Sequence, residues 1–289
     1  MRRACSHTSK RRENKRVQTM TMASSTRLLP LVSIVFVTFN RIETLRPTVA
    51  SFLAVTDYPR DRLELVVADD ASISEVRAAI REMDFDVFAL SSLNRGMGAN
   101  VNQGLAAASG DYILQLQDDW ECVGPADYLR RAVAVMQAWP AVGMVICRHH
   151  PQRLPKREIP TIGKDLVRIF DHDPARQVRA VGQHAYTDWP HVKRRTFIEA
   201  IGPYKEGRRM WETELDYAQR VNAQTSFFIA DIVGLDAFRH IGGGLSYNRG
   251  PWTARFSMAL ERYPIVRPLV ALARQFKRRL GDPRDSVTN

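Results

Sequence analysis

Residues 110–121 read Gly110-Asp111-Tyr112-Ile113-Leu114-Gln115-Leu116-Gln117-Asp118-Asp119-Trp120-Glu121. The apolar run from Tyr112 to Leu116 is short and follows a Gly-Asp turn, the pattern of a buried strand rather than a helix. Two adjacent carboxylates at the C-terminal end of such a strand repel each other and are costly to bury. A divalent cation removes both problems, and carboxylate oxygens suit the hard ions Mg²⁺ and Mn²⁺. A solvated acidic turn is the alternative for this stretch taken alone.

Upstream, Leu31 to Thr38 is a continuous β-branched run, typical of a parallel strand buried on both faces, and Phe39-Asn40-Arg41 ends it. Glu43 to Val55 reads as a helix, and Leu63 to Ala68 as a second buried strand ending in Asp69-Asp70-Ala71-Ser72. A charged helix (Ser74 to Met83), a strand (Phe85 to Leu90) and a small-residue helix (Ala99 to Ala108) follow. This alternation predicts an α/β fold with a mostly parallel central sheet flanked by helices. Such sheets bind ligands beyond the carboxyl ends of their strands. Thr38-Phe39-Asn40, Asp69-Asp70 and Gln117-Asp118-Asp119 would all lie on that rim. Their convergence is the main argument for a site.

Downstream, the pattern predicts a helix from Pro125 to Trp139, with proline at its start, and a strand from Val142 to Cys147. Residues 148–180 show no firm period. Helices over Arg194–Ala200 and Glu212–Asn222, a strand over Ser226–Ala230 and a Gly-rich loop over Phe238–Ser246 complete the body. After Pro268, Leu269, Leu272, Phe276 and Leu280 share one helical face, with Arg274, Lys277, Arg278 and Arg279 on much of the rest. That is the pattern of a basic helix lying on a membrane surface, or of a terminal helix docked on the body with a solvated basic side.

The formal net charge of +11 is concentrated at the ends. Residues 1–28 hold eight Lys/Arg and one acid, and residues 253–289 hold eight and three, which leaves the body at −1. A near-neutral body argues against a basic nucleic-acid groove, while basic tails suit an anionic membrane. No G-x-G-x-x-G follows the first strand, so a nicotinamide enzyme is a poor reading. Cys5, Cys122 and Cys147 have no paired spacing, which fits a reducing cytoplasm. No apolar run approaches the ~20 residues of a membrane span. The expected organisation is a basic tail (1–28), one α/β domain (29–252, with a nucleotide half 29–123 and an acceptor half 124–252) and a basic helical tail (253–289).

In order and spacing, residues 30–250 resemble a family 2 glycosyltransferase of the GT-A fold. Val32 to Arg41 resembles the family's first strand and nucleotide loop, and Val66 to Ser72 its second strand and acid pair. Asn94-Arg95-Gly96 with Asn102-Gln103-Gly104 resembles the segment before the metal strand, and Glu214-Leu215-Asp216-Tyr217-Ala218-Gln219-Arg220 the acidic catalytic helix. The resemblance implies an inverting, metal-dependent hexosyltransferase. Its donor would be a nucleoside-diphosphate sugar of UDP, dTDP or GDP type, and its acceptor a hydroxyl of a glycan, a lipid-linked glycan or a small molecule.

On that resemblance Asp119 is the direct ligand for Mg²⁺ or Mn²⁺, Asp118 lies at the ribose or behind the ion, and His240 is a further metal or phosphate contact. Gln117 stands where the family often has an acid. Glu214 is the expected general base, with Glu212 the alternative; Asp216 orients the acceptor or pairs with Arg220. Thr38, Asn40, Asp69, Asp70 and Arg95 are nucleotide candidates, with either Asp69 or Asp70 accepting from the base. Trp120, Trp189 and Trp211 are candidate sugar platforms, and core packing is the competing role. The departure at Gln117 leaves a second reading, a non-catalytic nucleotide- or glycan-binding module. Loss of Glu214 would then leave binding intact with no activity to lose.

Overall fold

The computed structural model describes residues 29–148, 156–171 and 185–242. Both basic tails and the Gly243-Gly244 part of the Gly-rich loop lie outside the described residues. The unit from Leu31 onward carries every element below.

Its nine-stranded sheet contains β1 (Val32–Thr38), β2 (Leu63–Asp69), β3 (Val87–Leu90), β4 (Tyr112–Gln117), β6 (Val142–Ile146), β7 (Lys156–Ile162), β8 (Asp165–Phe170), β9 (His191–Arg194) and β10 (Phe228–Ile232). The order is β3-β2-β1-β4-β9-β6-β10-β8-β7. Strands β3, β2, β1 and β4 run parallel, as do β6 and β10; β9 is antiparallel between β4 and β6. Because β9 runs against its neighbours, it begins on the rim where they end. A separate two-stranded ribbon pairs β5 (Trp120–Cys122) with β11 (Phe238–His240), setting His240 opposite Trp120.

The helices are α1 (Ile42–Val55), α2 (Ser74–Arg81), α3 (Met97–Ala107), α4 (Tyr128–Ala138), α5 (Arg195–Ile201) and α6 (Met210–Ala223). The core joins Val35, Val66 and Ile113 of the parallel half to Met144, Phe197 and Ile229 of the other half. Each such side chain contributes about 1.5–3 kcal/mol by leaving water, before ordering costs. Small residues let α3 approach closely: a Cβ at Gly104 would stand 2.6 Å from Val35 Cγ1 and 2.9 Å from the Ala68 Cβ.

The parallel strands β1 to β4 follow the sequence pattern. Four features differ. The helix expected from Pro125 begins at Tyr128, because Pro125 instead accepts the Tyr128 N–H through its carbonyl in a turn. Lys156–Phe170, without firm period, forms the β7–β8 hairpin, whose charges are paired: Lys156 and Arg168 both bind Asp231. His191–Arg194 is a central strand, and Phe238–His240 is a strand rather than loop.

Candidate active site

The acid pair sits where β4 leaves the sheet, and both carboxylates are buried. Thr38 Oγ1, at the end of β1, donates to Asp118 Oδ2 at 2.7 Å, and Thr48 Oγ1 of α1 donates to the Asp118 carbonyl at 3.0 Å. Arg41 spans the pair, with Nη1 3.0 Å from Asp118 Oδ1 and Nη2 2.9 Å from Asp119 Oδ2. His240 Nε2 lies 3.2 Å from the same Asp119 oxygen. Burial pushes the Asp118 carboxyl up to about 6, against the pull of Arg41 and Thr38. Burial acts upward on Asp119 too, but His240 and Arg41 outweigh it and hold that carboxyl below its usual range. The two acids therefore differ: one is a buried anchor, the other a firmly ionised anion.

Asp119 Oδ1 is buried and has no hydrogen-bond partner. The backbone packs closely against this acid at Gly242, where a Cβ would fall 2.3 Å from Asp119 Oδ2 and 2.7 Å from Arg41 Nη2. Glycine is required there by close approach of the backbone. Among the described residues no group of three or more His, Cys, Asp or Glu side chains converges as a metal cage. Arg41 was not a sequence candidate; its signal was the need of two buried acids for a counter-charge, supplied by the first basic residue beyond β1.

The nucleotide candidates hold loops together. Asp69 is fully buried and accepts from the Ser72 N–H at 3.1 Å and from the Ser72 hydroxyl. Asp70 accepts the Arg95 and Gly96 N–H groups at 2.9 and 2.7 Å, pinning the loop that opens α3. Asn40, at a positive φ of 52°, accepts the Ile73 N–H at 2.8 Å through Oδ1. Arg95 reaches Glu206 at 3.8 Å with about half its side chain exposed. Thr38 thus belongs with the acid pair, while Asn40, Asp69 and Asp70 fix the loops at the ends of β1 and β2.

Helix α6 separates its three acids. Glu212 turns back to accept the Arg209 N–H at 3.0 Å, capping the helix start. Asp216 is held by Lys205 and, at 3.0 Å, by Arg220. Glu214 alone turns inward, where its Oε1 accepts the Asp188 N–H at 3.4 Å. Burial, then the nearby Asp188 charge, raise the Glu214 carboxyl to about 7.

The rings of Trp120 and Trp189 lie 6.0 Å apart, and the Arg148 guanidinium sits 4.6 and 4.7 Å from their centroids. Trp120 adjoins Asp119 and Trp189 adjoins Asp188, so this layer connects the acid pair to the Glu214 corner. Trp211 is half exposed and His191 is fully buried. Arg148 and Asp188 were missed because neither lies in a periodic segment.

Comparison with known proteins bears on the family and the fold. A glucosyltransferase of Campylobacter jejuni, described as GalNAc(5)-diNAcBac-PP-undecaprenol beta-1,3-glucosyltransferase, is 28% identical over 103 residues, 34% of this chain and 32% of the relative. The chain thus spans about a third of the length of that curated relative. Structures of S. aureus TarS 1–349 superpose with TM-scores of 0.51 (with UDP-GlcNAc; 15% identity, 84% of this chain and 66% of that one) and 0.52 (with UDP; 17%, 72% and 59%). At these identities the likeness concerns the fold. The model of glycosyl transferase family 2 matches residues 33–231, most of the described body, and the chain belongs to that family.

Proposed function

We propose that the chain is an inverting hexosyltransferase, moving a sugar from a nucleoside-diphosphate donor to an acceptor hydroxyl. The observation that carries this is Glu214: one carboxyl of α6 turned inward and poised near neutrality, joined through the Trp120–Trp189 layer to a firmly ionised acid. A carboxylate whose proton affinity is raised by burial is a stronger base than an ordinary one, yet still ionised in half or more of the molecules above pH 7. Glu214 takes the proton from the acceptor hydroxyl. Trp120 is buried and packs in the core, so Trp189, partly exposed, is the ring that walls the sugar between base and leaving group. Residues 29–123 bind the donor and residues 124–252 the acceptor.

The residues present fit a divalent ion. Asp119, through its unpartnered Oδ1, and His240 would hold Mg²⁺ or Mn²⁺, with Asp118 behind them. When bound, such an ion neutralises the charge of the departing diphosphate. Arg41 supplies the balancing charge within the chain itself. Arg95 is the exposed group of the nucleotide set, on loops fixed by Asp70 and Asn40.

The test is release of nucleoside diphosphate from a panel of UDP-, GDP- and dTDP-sugars. Glu214→Gln is expected to lower turnover about 10²–10⁴-fold, the usual contribution of a general base, with nucleotide affinity unchanged. Undiminished turnover in this variant would remove the assignment.

A lipid-linked glycan at the cytoplasmic face of a membrane suits the basic C-terminal segment as acceptor. Replacing Leu269, Leu272, Phe276 and Leu280 with Ser is expected to abolish co-sedimentation with anionic vesicles. Unchanged co-sedimentation would exclude that placement.

A further inference from the structure

The centre of the sheet contains a buried lysine. Lys193 of β9 is fully buried. Its ammonium donates to Gln115 Oε1 and to the Tyr204 hydroxyl, both at 2.8 Å. The Tyr204 hydroxyl contacts that of Tyr186, which donates to Asp188 Oδ1. Asp188 in turn offers its main-chain N–H to Glu214.

Proton counting gives this chain a direction. An ammonium can only donate, so the Tyr204 oxygen accepts from Lys193. Gln115 Oε1 accepts from Lys193 and, at 3.2 Å, from the Tyr204 hydroxyl, so the single Tyr204 proton is shared between Gln115 and Tyr186. The Tyr186 proton is committed to Asp188. The order therefore runs from an ammonium to a carboxylate, two charges bridged by two hydroxyls. Replacing such a buried pair with apolar residues is often neutral or stabilising, so packing alone gives no reason for a lysine here.

We propose that Asp188 is a positioning residue for Glu214, kept ionised by the Lys193–Tyr204–Tyr186 chain, so that its backbone orients the Glu214 carboxyl while its charge strengthens Glu214 as a base. This rests on Glu214 being the base. The other groups around this corner are accounted for. Tyr186, Tyr204 and Tyr217 have their hydroxyls pushed well up by burial and stay protonated. His191 of β9 is pushed well down, by burial and then by Lys193, and stays neutral. On α6 itself, Glu212 caps the helix and Asp216 is bound by Lys205 and Arg220. Arg148 lies over the two tryptophan rings. Asp188 is thus the acid facing Glu214; burial pushes its carboxyl up, and the Tyr186 hydrogen bond and the Lys193 charge pull against that rise. Burial makes the Lys193 charge costly, lowering it to about 7, while Asp188 pulls the other way.

The test titrates Glu214 directly, by ¹³C NMR of the full chain labelled at glutamate side-chain carboxyls, with the resonance assigned by its loss in Glu214→Gln. The wild-type midpoint is expected near 7. Asp188→Asn removes the charge, and the midpoint should fall by about one unit or more. Tyr186→Phe keeps the ring, removes the donor to Asp188, and should move the midpoint the same way by less; it decides the matter if Asp188→Asn does not fold. Midpoints unmoved in the folded variants would overturn the proposal while leaving Glu214 as the base. Full donor turnover by Glu214→Gln would instead remove the general-base reading, whatever the titration shows.

Discussion

Glu214 carries a cost as well as a role. Its carboxyl stands at about 7 in the folded chain against 4.5 for a free one. Between these values the folded state holds a proton that the unfolded state releases, so stability is fullest below 4.5 and is lost as pH rises through 7. A glutamine at this position does not titrate. Glu214→Gln should therefore melt higher than wild type at pH 8, with the difference shrinking to nothing toward pH 4.5; a pH-independent difference would show that Glu214 has an ordinary carboxyl. The sequence left Glu212 and Glu214 as alternatives for the base, and spacing along a helix could do no more. What separates them is tertiary: Glu212 spends its carboxylate on the Arg209 N–H, while the 185–190 segment covers Glu214. Arg41 and Asp188 were hidden for the same reason, since each matters through a partner remote in sequence.

At the level of elements, strands β1 to β4 were legible because buried parallel strands are written as unbroken β-branched runs. Strand β9 was not. His191-Val192-Lys193-Arg194 has neither alternation nor an apolar run, yet it lies between β4 and β6, where the polar network satisfies its lysine. The start of α3 shows how elements fix the site. A Cβ at Gly98 would stand 2.1 Å from the Lys205 carbonyl oxygen and 3.3 Å from Thr213 Cγ2, at the segment leading into α6. The obstacle is backbone, so it cannot simply rotate away. Gly98→Ala should cost about 1–3 kcal/mol, as overpacking does, lowering Tm by roughly 2–4 °C per kcal/mol for a domain of this size. It should also reduce donor turnover, because α6 carries Glu214. An unchanged Tm would mean that this contact relaxes freely.

For the molecule as a whole, the near-neutral body and basic ends assign the charge to the tails rather than to the body. Among the described residues no helix is long and apolar enough to cross a membrane. The two halves of the sheet bring different chemistry to one rim: an acid pair with Arg41 and His240 from one side, and Glu214 with its buried support from the other. The tryptophan layer lies between them. The claim that this rim is a nucleotide-sugar site is tested most directly by calorimetric titration of the full chain with UDP, GDP and dTDP, with and without Mn²⁺, on wild type and Asp119→Ala. The account predicts Mn²⁺-dependent binding of one nucleotide in the wild type and its loss in Asp119→Ala. Failure of all three nucleotides to bind the wild type, with or without the metal, would contradict it.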